Sequence, residues 1–177
     1  VIYDAAHAFD VNYKGKSILG YGDASTLSFH ATKLFHTVEG GAVVLHDEAS
    51  THRLRLLRSF GHIGDEHFTL GMNAKMSELH AAMGMAVLPH VPQLVASRRA
   101  ITARYLERFR SLPVETPRFP GDMDFNFGYL PVVFPSGRRR SVQDDLVKVN
   151  VHPRRYFFPS LNELPYVHYS SCPISED

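Results

Sequence analysis

Residues 28 to 41, Ser28-Phe-His-Ala-Thr-Lys33-Leu-Phe-His-Thr-Val-Glu39-Gly-Gly41, decide how this chain is read. A short strand-like run, Thr26 to Phe29, brings Ser28 to a strand end, and Lys33 follows in the loop beyond. Gly40 and Gly41 stand where the backbone must turn sharply before a second strand, Ala42 to Leu45. A protonated lysine is a poor nucleophile, but at a strand end in a partly desolvated pocket it can release its proton and condense with a carbonyl. A surface lysine in an ordinary loop is the plain alternative, because a lone lysine carries no signature.

The first ten residues tilt that balance. Val1-Ile-Tyr reads as the end of a buried strand, so Asp4 falls just past a strand's carboxyl end, where ligands gather in α/β sheets. A carboxylate and an amine at two strand ends suit one cofactor held at two points. Pyridoxal phosphate asks for that pair: a lysine for the Schiff base and an acid facing the pyridine nitrogen, so that the ring acts as an electron sink.

Asp4-Ala-Ala-His7-Ala, Gly22-Asp23, Ser28 to Lys33, Glu39-Gly-Gly41 and Gly71-Met-Asn73-Ala-Lys75-Met-Ser-Glu78-Leu-His-Ala-Ala82 follow one another in order. Together they resemble the motif set of the DegT/DnrJ/EryC1/StrS sugar aminotransferases. The resemblance implies an α/β chain of the aspartate-aminotransferase-like fold type I, a pyridoxal-phosphate-dependent transferase. The expected parts are a partial large domain with a mixed sheet at 1–90, a linking helix at 91–112 and a partial small C-terminal α/β domain at 113–177. It further implies transfer of an amino group from L-glutamate to a nucleotide-linked keto sugar. The form SFHATK with EGG is more similar to members that aminate the 4-keto carbon, which points to a dTDP-4-keto-6-deoxyhexose and to products feeding O-antigen, lipopolysaccharide and other deoxyamino sugars. The family's sugar dehydratase carries histidine in place of the lysine, so Lys33 argues against it. The alternative is a catalytically incomplete fragment or interaction module that keeps the fold.

By the same resemblance Lys33 forms the Schiff base and shuttles the proton. Asp4 pairs with the pyridinium nitrogen, His7 packs near the ring, and the Ser28 hydroxyl binds the phosphate. A satisfied core histidine is the other account of His7. Asn73 matches an asparagine that reaches the cofactor phosphate of a neighbouring subunit, which implies a homodimer with shared active sites. Arg154 and Arg155 are candidates to clamp a nucleotide diphosphate, as guanidinium does well, or form a plain surface pair. Two positions depart from the pattern: Asp10 stands where glycine is usual, a difficulty if that position needs positive φ, and Lys75 where arginine is common. Judged against the family the chain is expected to be the middle and later part of a longer protein, without the segment that binds the cofactor phosphate through backbone amides and without the final strands.

Composition is ordinary for a globular chain, 177 residues with 44% hydrophobic and 21% charged, and speaks against disorder and coiled coil. A net charge of +1 gives no reason to invoke nucleic acid or a membrane surface. Cys172 is the one cysteine, which excludes an internal disulfide and fits the cytoplasm. No run approaches the ~20 apolar residues of a membrane helix. The segment Gly61 to His67 reads as an exposed loop with two histidines and two acids, but no pair has a strong zinc spacing, so no metal is expected.

Elsewhere Lys14-Gly15-Lys16 reads as a short hairpin, and Asp47 as the N-cap of a helix to Arg58 that Gly61 ends. Residues 75 to 88 read as a helix with Met76, Leu79, Met83 and Val87 on one face, small residues Ala81, Ala82, Gly84 and Ala86 for close contact, and Pro89 as its stop. Pro92 opens another helix to about Leu112, whose arginines read as a solvated face. Tyr129 to Phe134 reads as a buried strand, Ser141 with Asp144 as a capping box for a helix to about Val149, and Val151 as the start of a strand.

Overall fold

The computed structural model describes residues 1–176. By contact the chain divides into two units, Val1–Glu107 with Arg118–Leu130, and Arg108–Pro117 with the residues from Pro131 onward. This division differs from the three parts drawn on sequence, because residues 118–130 group with the first unit.

The first unit begins with β1 (Ile2–Asp4), β2 (Asn12–Tyr13) and β3 (Lys16–Ser17). Lys14 and Gly15 both take positive φ, 50° and 73°, so the hairpin turn matches the strand twist. Next come β4 (Ala24–Ser28), β5 (Gly41–Leu45), α1 (Glu48–Leu57), β6 (His62–Ile63), β7 (Glu66–His67), α2 (Glu78–Val87), α3 (Val91–Phe109) and β8 (Met123–Asp124). The main sheet has the order β1-β4-β5, with β1 parallel and β5 antiparallel to β4, so it is mixed. A second sheet runs β3-β2-β8. Beneath the main sheet Phe29, Phe35 and Val91 form the buried cluster, with Phe9, Leu27, Ala42, Met76, Val87 and Val95 packed against it.

Several expectations hold locally. Asp47 accepts the Ser50 N–H at 2.7 Å as N-cap of α1, and the Gly61 N–H returns to the Leu56 carbonyl at 2.8 Å. Others are corrected. Ile2 is 74% exposed rather than buried, since among the described residues β1 pairs only with β4. The loop at 61–67 is a hairpin: β6 pairs with β7, His62 and His67 bind the carbonyls of Gly64 and Asp65, and their rings stack at 5.3 Å.

Helix α2 starts at Glu78 because Ser77 takes the cap, its hydroxyl accepting the His80 N–H. Its inward face is His80, Ala81, Gly84 and Val87, with half-buried Met76 just before the helix, while Leu79 (83% exposed) and Met83 face outward. Gly84 decides the register: a Cβ there would come within 2.9 Å of Thr37 Cγ2. Pro89 does not stop the chain but sits in one 3-10 turn, Leu88–His90, that leads straight into α3. A proline in a first turn gives up an N–H that had no partner anyway. At its other end α3 stops at Phe109, short of Leu112.

The second unit carries α4 (Arg138–Lys148) and α5 (Pro173–Glu176), with a 3-10 turn at Leu161–Glu163. The strand expected at 129–134 is a single bridge between Val133 and Glu115, because Pro131 has no N–H to give and Pro135 closes the run. Helix α4 starts at Arg138, so Ser141 lies inside it and donates to the Arg138 carbonyl instead of capping. No strand forms at Val151, whose N–H returns to Leu146 O.

Candidate active site

Two loops at adjoining strand ends build the site. Parallel pairing of β1 with β4 sets Asp4 opposite Thr26, and the Ala5 N–H continues the ladder to Thr26 O at 2.8 Å. Asp4 Oδ1 then accepts the Ala6 N–H at 3.1 Å and Ala8 N–H bonds Ala5 O at 2.9 Å, a tight turn that presents His7. After β4, the Phe29 N–H meets Gly40 O at 2.8 Å and the Thr37 N–H meets Phe29 O at 2.9 Å, closing the neck of the Lys33 loop. Inside it Lys33 N–H bonds His30 O at 2.9 Å. Val38 holds φ at 68°, a left-handed conformation that strains a β-branched residue. At Gly41 a Cβ would come within 2.6 Å of Leu27 O, so β5 can pair this closely only with glycine there.

Aromatic packing brings the loops together. Phe9, two residues past His7, and Phe35, two residues past Lys33, stack at 4.5 Å, and Phe29 meets Phe35 edge-on at 4.9 Å. As a result Lys33 Nζ lies 2.9 Å from His7 Nε2. His7 is solvent-exposed at its edge, yet partial burial of the ring first, and the Lys33 charge second, hold its pKa below the ordinary value against the opposing pull of Asp4. A neutral imidazole accepts from the Lys33 amine, so the pair has a donor and an acceptor in register. Asp4 and Lys33 both act on His7, which places amine, imidazole and carboxylate in one neighbourhood.

Two residues that the sequence did not mark complete the site. The buried Asn126 (3% exposed) donates from Nδ2 to His7 O at 2.9 Å and to Phe9 O at 2.7 Å, and its Oδ1 accepts the Gly128 N–H. Tyr129 stacks on His7 at 4.5 Å with 27° between the rings and donates its hydroxyl to Thr32 O at 3.2 Å. Only the Asn-Phe-Gly-Tyr run itself, polar and aromatic within a loop, hinted at them.

The remaining candidates are placed as follows. Ser28 ends β4 with its Oγ accepting the His30 N–H at 3.5 Å. Asn73 is exposed on a segment bridged to Ser59; its Oδ1 accepts from Lys75 Nζ at 2.7 Å, and Lys75 lies over the Phe60 ring. Among the described residues no hydrogen bond joins Ser28 or Asn73 to Lys33. Arg154 and Arg155 belong to the second unit, Arg154 over Tyr156 and Phe157, Arg155 over Phe158 at 3.4 Å. Asp10 does take positive φ, 59°, which aspartate tolerates better than most residues.

The donor set fits pyridoxal phosphate: an amine beside a neutral imidazole for its carbonyl, a carboxylate nearby for its ring nitrogen, and a hydroxyl at the next strand end for its phosphate.

Comparison with known proteins agrees with this geometry. A model of the DegT/DnrJ/EryC1/StrS aminotransferase family matches residues 1–176. The chain belongs to that family. A dTDP-4-amino-4,6-dideoxy-D-glucose transaminase of Shigella dysenteriae is 37% identical over 164 residues, covering 90% of this chain and 45% of that protein. The Escherichia coli protein of the same description is 35% identical, over 93% of this chain and 46% of its own length. This member of the DegT/DnrJ/EryC1/StrS family therefore spans about half the length of the curated relatives it matches. The crystal structure of DesI in the presence of its TDP-sugar product matches 99% of this chain and 47% of DesI, with a TM-score of 0.88 at 35% identity. The aminotransferase TlmJ of Streptoalloteichus hindustanus gives a TM-score of 0.90 over 99% of this chain and 49% of TlmJ at 24% identity, which speaks for the fold alone. The fold is the type I, aspartate-aminotransferase-like fold of these sugar aminotransferases, represented in part.

Proposed function

We propose that the chain carries the amine-bearing part of a pyridoxal-phosphate-dependent aminotransferase that moves an amino group from L-glutamate to a nucleotide-linked keto sugar. The observation that carries this reading is the Lys33 Nζ to His7 Nε2 contact of 2.9 Å, in a member of an aminotransferase family. When bound, the cofactor supplies the carbonyl that an amine can exchange with and the ring that delocalises the resulting charge. Lys33 would hold the cofactor through its Nζ and would move a proton there. His7, kept neutral, accepts a hydrogen bond from Nζ and orients the amine. Asp4 would keep the ring nitrogen protonated, and Ser28 would donate its hydroxyl to the phosphate.

A dTDP-4-keto-6-deoxyhexose is the proposed acceptor, supported by the relatives named for dTDP-4-amino-4,6-dideoxy-D-glucose and by DesI with its TDP-sugar. Arg154 and Arg155 are the proposed diphosphate contacts. A homodimer with Asn73 reaching the partner's cofactor belongs to the same proposal, as does a cytoplasmic location serving surface-sugar synthesis. Asn73 is exposed, and so are Leu79 and Met85 on the neighbouring helix, 83% and 77%. No helix among the described residues is long and apolar enough to cross a membrane.

The test is borohydride reduction of the protein in its longest natural form after incubation with pyridoxal phosphate, followed by peptide mapping. Cofactor trapped on Lys33, and lost when L-glutamate is added first, supports the reading. No trapping in that form removes it in favour of an interaction module that keeps the fold.

A further inference from the structure

We propose that Tyr129 is a positioning residue for the Lys33–His7 pair, holding the imidazole by its ring face and the lysine loop by its hydroxyl. The inference rests on the reading of Lys33 as the reacting amine. Lys33 and His7 are far apart in sequence and sit on separate loops, each free to move unless something joins them. Phe9 and Phe35 join the loops by stacking on each other two residues past His7 and Lys33. Tyr129 acts nearer the chemistry. Its ring lies on the His7 ring at 4.5 Å and 27°, which fixes the plane of the imidazole. Its hydroxyl donates to Thr32 O at 3.2 Å, the carbonyl immediately before Lys33. One rigid side chain therefore sets both ends of the 2.9 Å contact.

Tyr129 is in turn held by its own segment. Asn126 ties that segment to the His7 loop through His7 O and Phe9 O, and Arg98 Nη1 donates to Gly128 O at 3.0 Å, which fastens it to α3. The tether therefore runs from helix α3 through residues 126–129 to both loops. Covering of the His7 ring does most to hold its pKa low, the charge of Lys33 adds to that effect, and Asp4 opposes both. Stacking on Tyr129 supplies part of that cover, so removing the ring would free His7 to protonate more easily and to swing from Lys33. A misplacement of about 1 Å in such a pair costs on the order of a hundredfold in rate.

The test is the pH titration of His7 by long-range 1H–15N spectra of the histidine rings, on the cofactor-free protein in its longest natural form, in wild type, Tyr129→Phe and Tyr129→Ala. His7→Gln identifies the His7 resonances. In wild type His7 titrates below the usual histidine value. In Tyr129→Phe the stack survives and the midpoint stays low, while hydrogen exchange at the Lys33 amide rises about five- to tenfold for loss of one hydrogen bond. In Tyr129→Ala the midpoint moves up toward the ordinary value, and capture of pyridoxal phosphate by Lys33 slows. A wild-type midpoint in folded Tyr129→Ala overturns the inference, as does unchanged exchange in Tyr129→Phe. Where the alanine variant does not fold, Tyr129→Leu fills the space without ring or hydroxyl and is held to the same outcome. Failure of wild-type protein to capture cofactor would sink the aminotransferase reading and leave the titration result standing, so the two failures are distinct.

Discussion

The two units of the chain are ordered by different forces. In the first, Ala5, Val11, Ala24, Phe29, Leu34, Phe35 and Val91 are buried, and five residues of β4 pair with five of β5. In the second, no hydrophobic residue among those described is fully buried; the buried residue there is Ser160. Around it Ser160 Oγ bonds Asn162 Oδ1 and Ser175 Oγ, Asn162 Nδ2 reaches Ser170 O and Glu176, and Glu163 returns to the Ser160 N–H. Hydrophobic burial is worth about 1.5–3 kcal/mol per large side chain, a net hydrogen bond nearer 1 kcal/mol. The Lys33–His7 pair, which needs fixed geometry, sits in the unit that packing makes rigid.

Four expectations would break or sharpen this contrast. The largest is chemical: Lys33→Ala should lower transamination by the full-length protein by roughly 10⁴-fold or more while leaving the melting temperature unchanged. A residual rate close to wild type would remove the site from this loop. Next, Phe35→Ala should destabilise the protein by about 3–5 kcal/mol in urea unfolding, through loss of the stack on Phe9 and a cavity under the sheet. Leu161→Ala in the second unit, 71% exposed, should stay within about 0.5 kcal/mol. Equal losses would show that the units are not ordered differently.

The third pairs two asparagines. Asn126→Ala leaves the carbonyls of His7 and Phe9 and the Gly128 N–H without their partner and should destabilise by about 2–3 kcal/mol; Asn162→Ala, in a wetter network, by about 1 kcal/mol. The smallest effect is the pH dependence of His7. Its folded-state pKa is lowered, so between that value and the unfolded value of ~6.5 the unfolded chain binds more protons. Stability is then full above pH ~6.5 and falls as pH drops toward the folded value. His7→Gln should flatten that part of the curve in thermal melts taken from pH 8 to 5; an unchanged slope would assign it to other groups.

Much of the first unit could be read in one dimension, because its signals are local. The Asp47 cap, the Lys14-Gly15 turn and Gly40 at the entry to β5 act on residues a few positions away, and each forms where its pattern indicated, although β5 itself begins one residue early, at Gly41. Asp10 does hold positive φ, the condition under which its departure from the usual glycine is a difficulty. On α2 Leu79 and Met83 are exposed although apolar, while Gly84, expected to permit close contact, is what fits against Thr37 and Phe35. In the second unit Ser160-Leu-Asn-Glu163 forms a capping box, a four-residue pattern present in the sequence, while Ser141 with Asp144 does not. A short polar pattern caps only where the backbone already turns, and α4 has begun before Ser141 is reached.

By itself the sequence determined which residues are proposed for the chemistry, Lys33, Asp4, His7 and Ser28, and the strand ends near which they lie, because hydrophobic runs and turn residues specify local backbone. Only the tertiary structure decided that Lys33 meets His7 at 2.9 Å and that Asn126 and Tyr129 hold them there. The physical reason is sequence distance. Contacts across 26, 97 or 119 positions come from packed rings and hydrogen bonds between segments, which no periodicity along the chain encodes.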